Sequence, residues 1–255
     1  MKKILVPTLM AAAIGSLTSV AQAAEPESTL AFNAGVVSDY RYRGISQSRL
    51  EPALQGGVDY TDKSGFYVGA WGSTIKWIKD AGTIASVAGV KGPVELDLYG
   101  GYKGAVGDVS YDVGFLRYEY VGNNYKDVTG VNANTNEIYG AVTYGPFTAK
   151  YSHAISELFG IPDSKNSYYV DLSAAFDLGE GYSLVPHVGY QKVKGIYDVD
   201  ASYTDYALTL AKDLGNGLSV TGALVGTDAK ESFYFTPANK FTGKTGVVVG
   251  LKYNF

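Results

Sequence analysis

The chain has no cysteine, only two histidines and two methionines, and eight prolines in 255 residues. The missing cysteine excludes disulfides, thiol catalysis and thiolate metal sites. Long apolar runs are also scarce. A membrane helix needs about 20 consecutive apolar residues, and beyond residue 20 nothing approaches that length. Any membrane insertion of the body of the chain must therefore use strands. Basic charge is in deficit as well, with a formal net charge of −4, which argues against a nucleic-acid partner.

The one apolar run, Ile4 to Val20, follows Lys2 and Lys3 and precedes Ala21-Gln22-Ala23. Pro7, Gly15, Ser16 and Thr18 interrupt it. This pattern predicts a cleaved secretory signal peptide over residues 1–23, with the mature domain spanning 24–255. Removing the two lysines makes the balance more acidic.

Tyrosine (22) and glycine (32) are abundant, and mean hydropathy is near zero. Apolar residues recur with period 2, as in Val94-Glu95-Leu96-Asp97-Leu98 and in Tyr168 to Asp177. Residues i and i+2 of a strand share a face, so these segments are half-wet strands. About twelve are predicted, over 30–43, 53–60, 65–74, 93–102, 109–120, 135–144, 147–155, 167–178, 182–192, 202–214, 218–227 and 245–255. In 109–120 the apolar parity switches after Phe115, which predicts a β-bulge.

The connections alternate. Short ones lie at Thr61–Ser64, Lys103–Asp108, Gly145-Pro146, Gly179-Glu180-Gly181 and Gly215-Asn216-Gly217, where Gly and Asn suit tight hairpins. Long ones cover 44–52, 75–92, 121–134, 156–166, 193–201 and 228–244. The pattern predicts an all-β fold, a closed antiparallel transmembrane β-barrel with short periplasmic turns and longer extracellular loops.

Two predicted aromatic belts orient the apolar face toward lipid. One, beside the short turns, holds Phe32, Tyr60, Phe66, Tyr102, Tyr111, Tyr144, Phe147, Phe176, Tyr182 and Phe255. The other holds Tyr40, Tyr42, Tyr118, Tyr120, Tyr168 and Tyr203. At the C-terminus Val247, Val249, Leu251, Tyr253 and Phe255 form an unbroken apolar face. It is similar to the terminal strand that the barrel-assembly machinery reads in bacterial outer-membrane barrels. Twelve strands tilted near 40° give a backbone radius of about 12 Å, wide enough for a narrow pore or a plug.

The opposite face predicts the pore lining: Asp39, Arg41, Arg43, Gln55, Asp59, Glu95, Asp97, Glu137, Lys150, Asp171, His187, Asp205 and Lys252. Acids outnumber bases there, which predicts weak cation preference unless arginines crowd the constriction. Along VVSDYRYRGISQS, residues 36–48, the alternation places Val36, Ser38, Tyr40 and Tyr42 outside and Asp39, Arg41 and Arg43 inside. Gly44 to Ser48 then leaves as the first external loop.

Catalytic motifs are fragmentary. Ser73-Thr74-Ile75-Lys76 and Lys244-Thr245-Gly246 match pieces of the serine β-lactamase set, but Ser73 ends a strand instead of starting a helix. Gly44-Ile45-Ser46-Gln47-Ser48 lacks the last glycine of a nucleophile elbow, and Gly243-Lys244-Thr245 lacks the earlier glycine of a P-loop. His153 near Ser156 is the candidate for a surface hydrolase. Asp198, Asp200 and Asp205 lack EF-hand order and read as a solvated face.

The block Ser38-Asp39-Tyr40-Arg41-Tyr42-Arg43-Gly44-Ile45-Ser46-Gln47-Ser48 resembles the leading motif of the TorF-type porins, formerly the conserved hypothetical family Gcw-chp. The likeness continues through Pro52 to Gly57, Gly65 to Trp71, and Glu95-Leu96-Asp97 with Tyr99. It implies a Gram-negative outer-membrane protein, embedded in lipid, with a porin-like role and neither cofactor nor catalytic residue. The expected function is passive diffusion of ions or small polar solutes. The alternatives are a non-conducting barrel with a binding or structural role, and an outer-membrane hydrolase.

Overall fold

The computed structural model describes residues 28–195 and 200–255; the expected signal peptide and Asp198 lie outside them. The wall is a closed, antiparallel, twelve-stranded barrel. Its first hairpins are β1 (Thr29–Val37) with β4 (Ala53–Thr61), and β5 (Phe66–Thr74) with β6 (Val94–Val106). The next are β7 (Val109–Tyr120) with β8 (Thr135–Tyr144), and β9 (Phe147–Ala154) with β10 (Tyr168–Ala174) and its continuation β11 (Phe176–Gly179). The last are β12 (Tyr182–Lys192) with β13 (Tyr203–Gly215), and β14 (Leu218–Thr227) with β15 (Gly246–Asn254). β1 pairs with β15 from Asn33↔Asn254 to Val37↔Gly250, which closes the wall. Two short helices, α1 (Trp77–Ile84) and α2 (Lys126–Thr129), sit in long loops. The two-residue strands β2 (Arg41–Tyr42) and β3 (Ile45–Ser46) form a separate ribbon.

The split between β10 and β11 has a chemical cause. Ser173 pairs with His187 and Phe176 with Leu184, so Ala174 stands opposite Pro186. Proline has no N–H, and the ladder lapses over two pairs, Ala174 with Pro186 and Ala175 with Val185. Pro186→Ala supplies the missing donor. It is expected to raise the unfolding free energy by about 0.5–1.5 kcal/mol, read from the urea midpoint of the refolded barrel.

The outer surface is apolar, with Leu54, Val68, Val142, Leu172, Leu208 and Val249 exposed. The aromatic belt beside the short turns is linked by ring contacts: Phe32 to Phe255 (5.8 Å), Phe66 to Tyr102 (5.0 Å), Tyr102 to Tyr111 (6.1 Å) and Phe147 to Phe176 (6.3 Å). Val247, Val249, Leu251, Tyr253 and Phe255 all lie exposed on this surface.

The belt at the long-loop end differs from expectation. Tyr168 is on the outer face, against Tyr151 and Tyr190. Tyr40, Tyr42, Tyr118, Tyr120 and Tyr203 are buried instead. No bulge interrupts β7, which pairs in continuous register with β6 and β8. Its parity is kept, so Leu116, Tyr118 and Tyr120 face inward while Arg117 and Glu119 pair at the outer rim, 2.8 Å apart. Tyr40, Tyr42 and Tyr118 turn inward to hydroxyl and carboxylate partners, while Tyr120 packs edge-on against Trp77 and Tyr203 against Tyr234.

The inner wall explains the tyrosine and glycine content. Gly69 pairs with Tyr99, Tyr67 with Gly101, and Gly114 with Tyr139. Each ring occupies the space a side chain on the facing glycine would need. A Cβ on Gly69 would meet Tyr99 Cε2 at 2.3 Å, and one on Gly114 would meet Tyr139 Oη at 2.5 Å.

Candidate functional site

The chain leaves the wall just past β1. Ser38 is still fastened to β15: its N–H donates to Val249 O (2.8 Å) and its Oγ accepts from Val249 N (2.9 Å). From Asp39 onward it turns into the lumen. Arg43 (φ 47°) and Gly44 (φ 78°) are the central residues of the β2–β3 ribbon. Positive φ at both marks a type I′ hairpin, the turn that matches strand twist.

This corrects the expected course of residues 38–48. Tyr40 and Tyr42 are not on the lipid face, and Gly44 to Ser48 is not an external loop. The segment crosses the interior and seats a different side chain on each part of the wall. Tyr40 Oη donates to Glu95 on β6 (2.5 Å) and its ring meets Trp71 edge-on at 5.5 Å. Tyr42 Oη bonds Tyr118 Oη on β7 (2.5 Å). Arg43 donates from Nη1 to Gln191 Oε1 on β12 (2.5 Å) and from Nη2 to Glu137 Oε2 on β8 (2.7 Å). Gly44 abuts β13 and β14, where a Cβ would lie 2.4 Å from Thr227 Cγ2 and 2.8 Å from Asp205 Cβ.

Asp39 and Arg41 form no strand-face ladder toward Arg43. Arg41 Nε donates to Asp39 Oδ2, and Asp39 Oδ1 accepts from Ser46 Oγ (2.5 Å) and Ser48 Oγ (3.1 Å). Arg41 Nη1 donates to the carbonyls of Gly44 (2.9 Å), Thr242 (2.9 Å) and Lys244 (3.2 Å), which ties the hairpin to the last loop. Other loops close over it. Gln47 O accepts from Lys76 N (2.8 Å), and Phe159 packs on Tyr42 and Tyr118. Arg49 pairs with Asp80 of α1. Lys76 hydrogen-bonds Glu51 at the rim and holds its carboxyl below the usual range.

Beneath the hairpin lies a charged middle layer. Glu95, Asp97, Glu137, Lys150 and Asp205 are all buried. His187 bridges Asp171 (Nδ1, 2.9 Å) and Asp205 (Nε2, 2.8 Å), and Tyr169 Oη donates to Asp205 Oδ2 (2.9 Å). Lys150 Nζ lies 4.0 Å from the Tyr139 ring centroid. Buried oxygens of Asp97 (Oδ1), Glu137 (Oε1) and Asp171 (Oδ1) have no hydrogen-bond partner among the described residues.

Toward the short turns the inward side chains are half-exposed: Asp59, Tyr99, Lys103, Asp112 and Lys252; Gln55 is half-exposed too but lies at the long-loop end of β4, opposite Ser73. Tyr99 Oη donates to Asp59 Oδ1 (2.5 Å), Tyr67 Oη to Asp112 Oδ1 (2.6 Å), and Lys103 Nζ lies 4.3 Å from the Tyr67 ring centroid. The interior is therefore a half-open polar vestibule below a packed outer half. Trp71, Tyr118 and Tyr169, which seat the hairpin, are absent from the sequence-predicted lining. For Trp71 and Tyr169 the signal was parity, because they alternate with the outward Ala70 and Val170; Tyr118, between Arg117 and Glu119, carried no such signal.

The catalytic candidates are engaged elsewhere. His153 Nδ1 bonds Tyr151 Oη (2.9 Å) and Nε2 bonds Asn166 Oδ1 (3.1 Å). Ser156 Oγ donates to Glu157 O (3.1 Å) and accepts from Asn136 N (2.8 Å). Ser73 Oγ donates to Thr74 O (3.2 Å). Asp205 is buried against His187 while Asp200 is exposed at the rim, so they form no shared site. Among the described residues no group of acids and histidines is spaced to hold a metal ion.

Solved structures of similar fold include the KdgM porin, at 9% identity and TM-score 0.53, covering 89% of this chain and 99% of that one. The NanC porin matches at 8% identity and TM-score 0.53, with the same coverages. A KdgM porin in complex with disordered oligogalacturonate matches at 8% identity and TM-score 0.52, covering 89% and 99%. At such identities the likeness is one of fold. No curated protein matches the sequence. A family model described as "Bacterial protein of unknown function (Gcw_chp)" matches residues 21–255, and the chain belongs to that Gcw_chp family.

Proposed function

We propose that the protein is an outer-membrane channel of the TorF-type porin kind, for passive diffusion of ions or small polar solutes. One observation carries the reading. A closed barrel with an apolar exterior and a charged interior is filled across its outer half by a hairpin that is no part of its wall. A barrel built only as a structural post has no need of a separate, removable filling. The likeness to porin folds supports the same reading. In this proposal residues 1–23 direct export, the C-terminal strand is read by the barrel-assembly machinery, and the lumen residues set ion preference.

The solute of the KdgM complex is an oligogalacturonate, a polyanion. Here inward acids (Asp59, Glu95, Asp97, Asp112, Glu137, Asp171, Asp205) exceed inward cations, which favours positively charged or neutral solutes. The refolded residues 24–255 in a planar bilayer are expected to show small, weakly cation-preferring conductance in a salt gradient. Silence in both the native barrel and one lacking the hairpin sinks the channel. It leaves the second reading, a closed binding or structural barrel, which the dense packing around Tyr40 and Tyr42 favours.

A further inference from the structure

Arg43 occupies an unusual place. It sits at the tip of the hairpin, in a left-handed conformation (φ 47°), and its side chain is 4% exposed. Its acceptors, Glu137 and Gln191, come from β8 and β12 of the wall. Its guanidinium lies between two rings, with Cζ 4.3 Å from the centroid of Tyr169 on β10 and 4.8 Å from that of Tyr42.

The wall groups are set without help from the hairpin. Gln191 Nε2 donates to the carbonyls of Tyr168 (3.0 Å) and Lys192 (3.1 Å), which aims Oε1 into the lumen. The Tyr169 ring is fixed through its hydroxyl by Asp205 (2.9 Å) and His187 (3.2 Å). Glu137 accepts from Tyr118 Oη (3.3 Å) and keeps a second buried oxygen, Oε1, with no hydrogen-bond partner among the described residues. A carboxylate, an oriented amide oxygen and an aromatic face are what a planar, fork-shaped cation requires.

We infer that Glu137, Gln191 and Tyr169 form a binding site for a guanidinium-bearing solute, and that Arg43 holds it as a built-in stand-in for that solute. The inference names the solute class of the channel proposed above and rests on that reading for its role. A solute entering from the vestibule competes with Arg43 for the three wall groups. Winning that exchange removes one of the hairpin's attachments to the wall. The unpartnered Glu137 oxygen gives a solute with an additional N–H a further acceptor.

The test uses methylguanidinium as probe and calorimetric titration of the refolded barrel in detergent. Arg43→Ala is expected to bind about one equivalent saturably, and the native protein at least tenfold more weakly. Arg43→Ala with Glu137→Gln is expected to lose at least tenfold, and urea, neutral and of similar shape, is expected not to bind. If Arg43→Ala does not fold, the titration is run on the barrel in which Asn-Gly replaces residues 38–52. Absence of binding to the folded variant, equal binding of urea, equal affinity of the native protein, or indifference to Glu137→Gln overturns the inference. Bilayer recordings separate it from the channel reading. An Arg43→Ala barrel that conducts but binds no methylguanidinium ends this inference and leaves the channel. A barrel that binds the probe yet never conducts does the reverse.

Discussion

Replacing residues 38–52 with Asn-Gly should leave a folded barrel whose conductance is higher by roughly tenfold or more, because the obstruction is removed while every strand of the wall is kept and its seam loses only the Ser38 side-chain bond to Val249. The wall survives because Val37 pairs directly with Ala53, so a two-residue turn can join the strands, and Asn-Gly suits such a turn. The filling depends on side chains: Tyr40 on Glu95, Tyr42 on Tyr118, and Arg43 on Glu137 and Gln191. Single-channel recording and swelling of liposomes in neutral sugars both read the change. A measurable conductance left unchanged in the folded variant would mean that some other segment sets the constriction.

The second large effect concerns the wall. Gly101→Leu is expected to destabilise the barrel by about 1–3 kcal/mol or to prevent refolding, since overpacking a tight site forces strain on its neighbours. A Cβ at Gly101 would lie 2.4 Å from the backbone oxygen of Val113 and 2.5 Å from Tyr67 Oη. Backbone oxygen cannot swing aside as a side chain can. Gly222 is the control, because a Cβ there meets nothing within 4 Å. Gly222→Leu is expected to shift stability by no more than about 0.5 kcal/mol. Urea unfolding followed by tryptophan fluorescence measures both. Equal losses would show that glycine matters here through backbone freedom, not through rings laid on the chain.

The barrel was legible in the sequence because its signals are local. Alternation in 94–98 and 168–177 marks two-faced strands, and turns such as Gly215-Asn216-Gly217 mark the hairpins. The hairpin in the lumen was not legible, because its signals are not local. Val36 to Tyr42 alternates as a strand does, and nothing in that run announces that the chain departs at Asp39. What decides it is Glu95, Tyr118, Glu137 and Gln191, all far away in sequence. Position 43-44 did hold a clue: a glycine inside a polar alternation suits a tight turn, and here it carries φ 78°. Parity in β7 misled for a related reason. Tyrosine serves a lipid rim and a polar interior equally well, so Tyr118 and Tyr120 could not be assigned by type. Arg117 and Glu119 could face outward because they pair with one another at the rim.

The hairpin's fastenings also set an order in time. Ser38 is tied to Val249, and Arg41 reaches the carbonyls of Thr242 and Lys244, partners more than 200 positions along the chain. These belong to β15 and to the loop that precedes it. The first loop therefore has no complete seat until the closing seam between β1 and β15 exists. Contacts so distant in sequence form late, because the intervening chain must be organised first. The hairpin's complete seat thus exists only on a closed wall, since it includes groups on both sides of the seam.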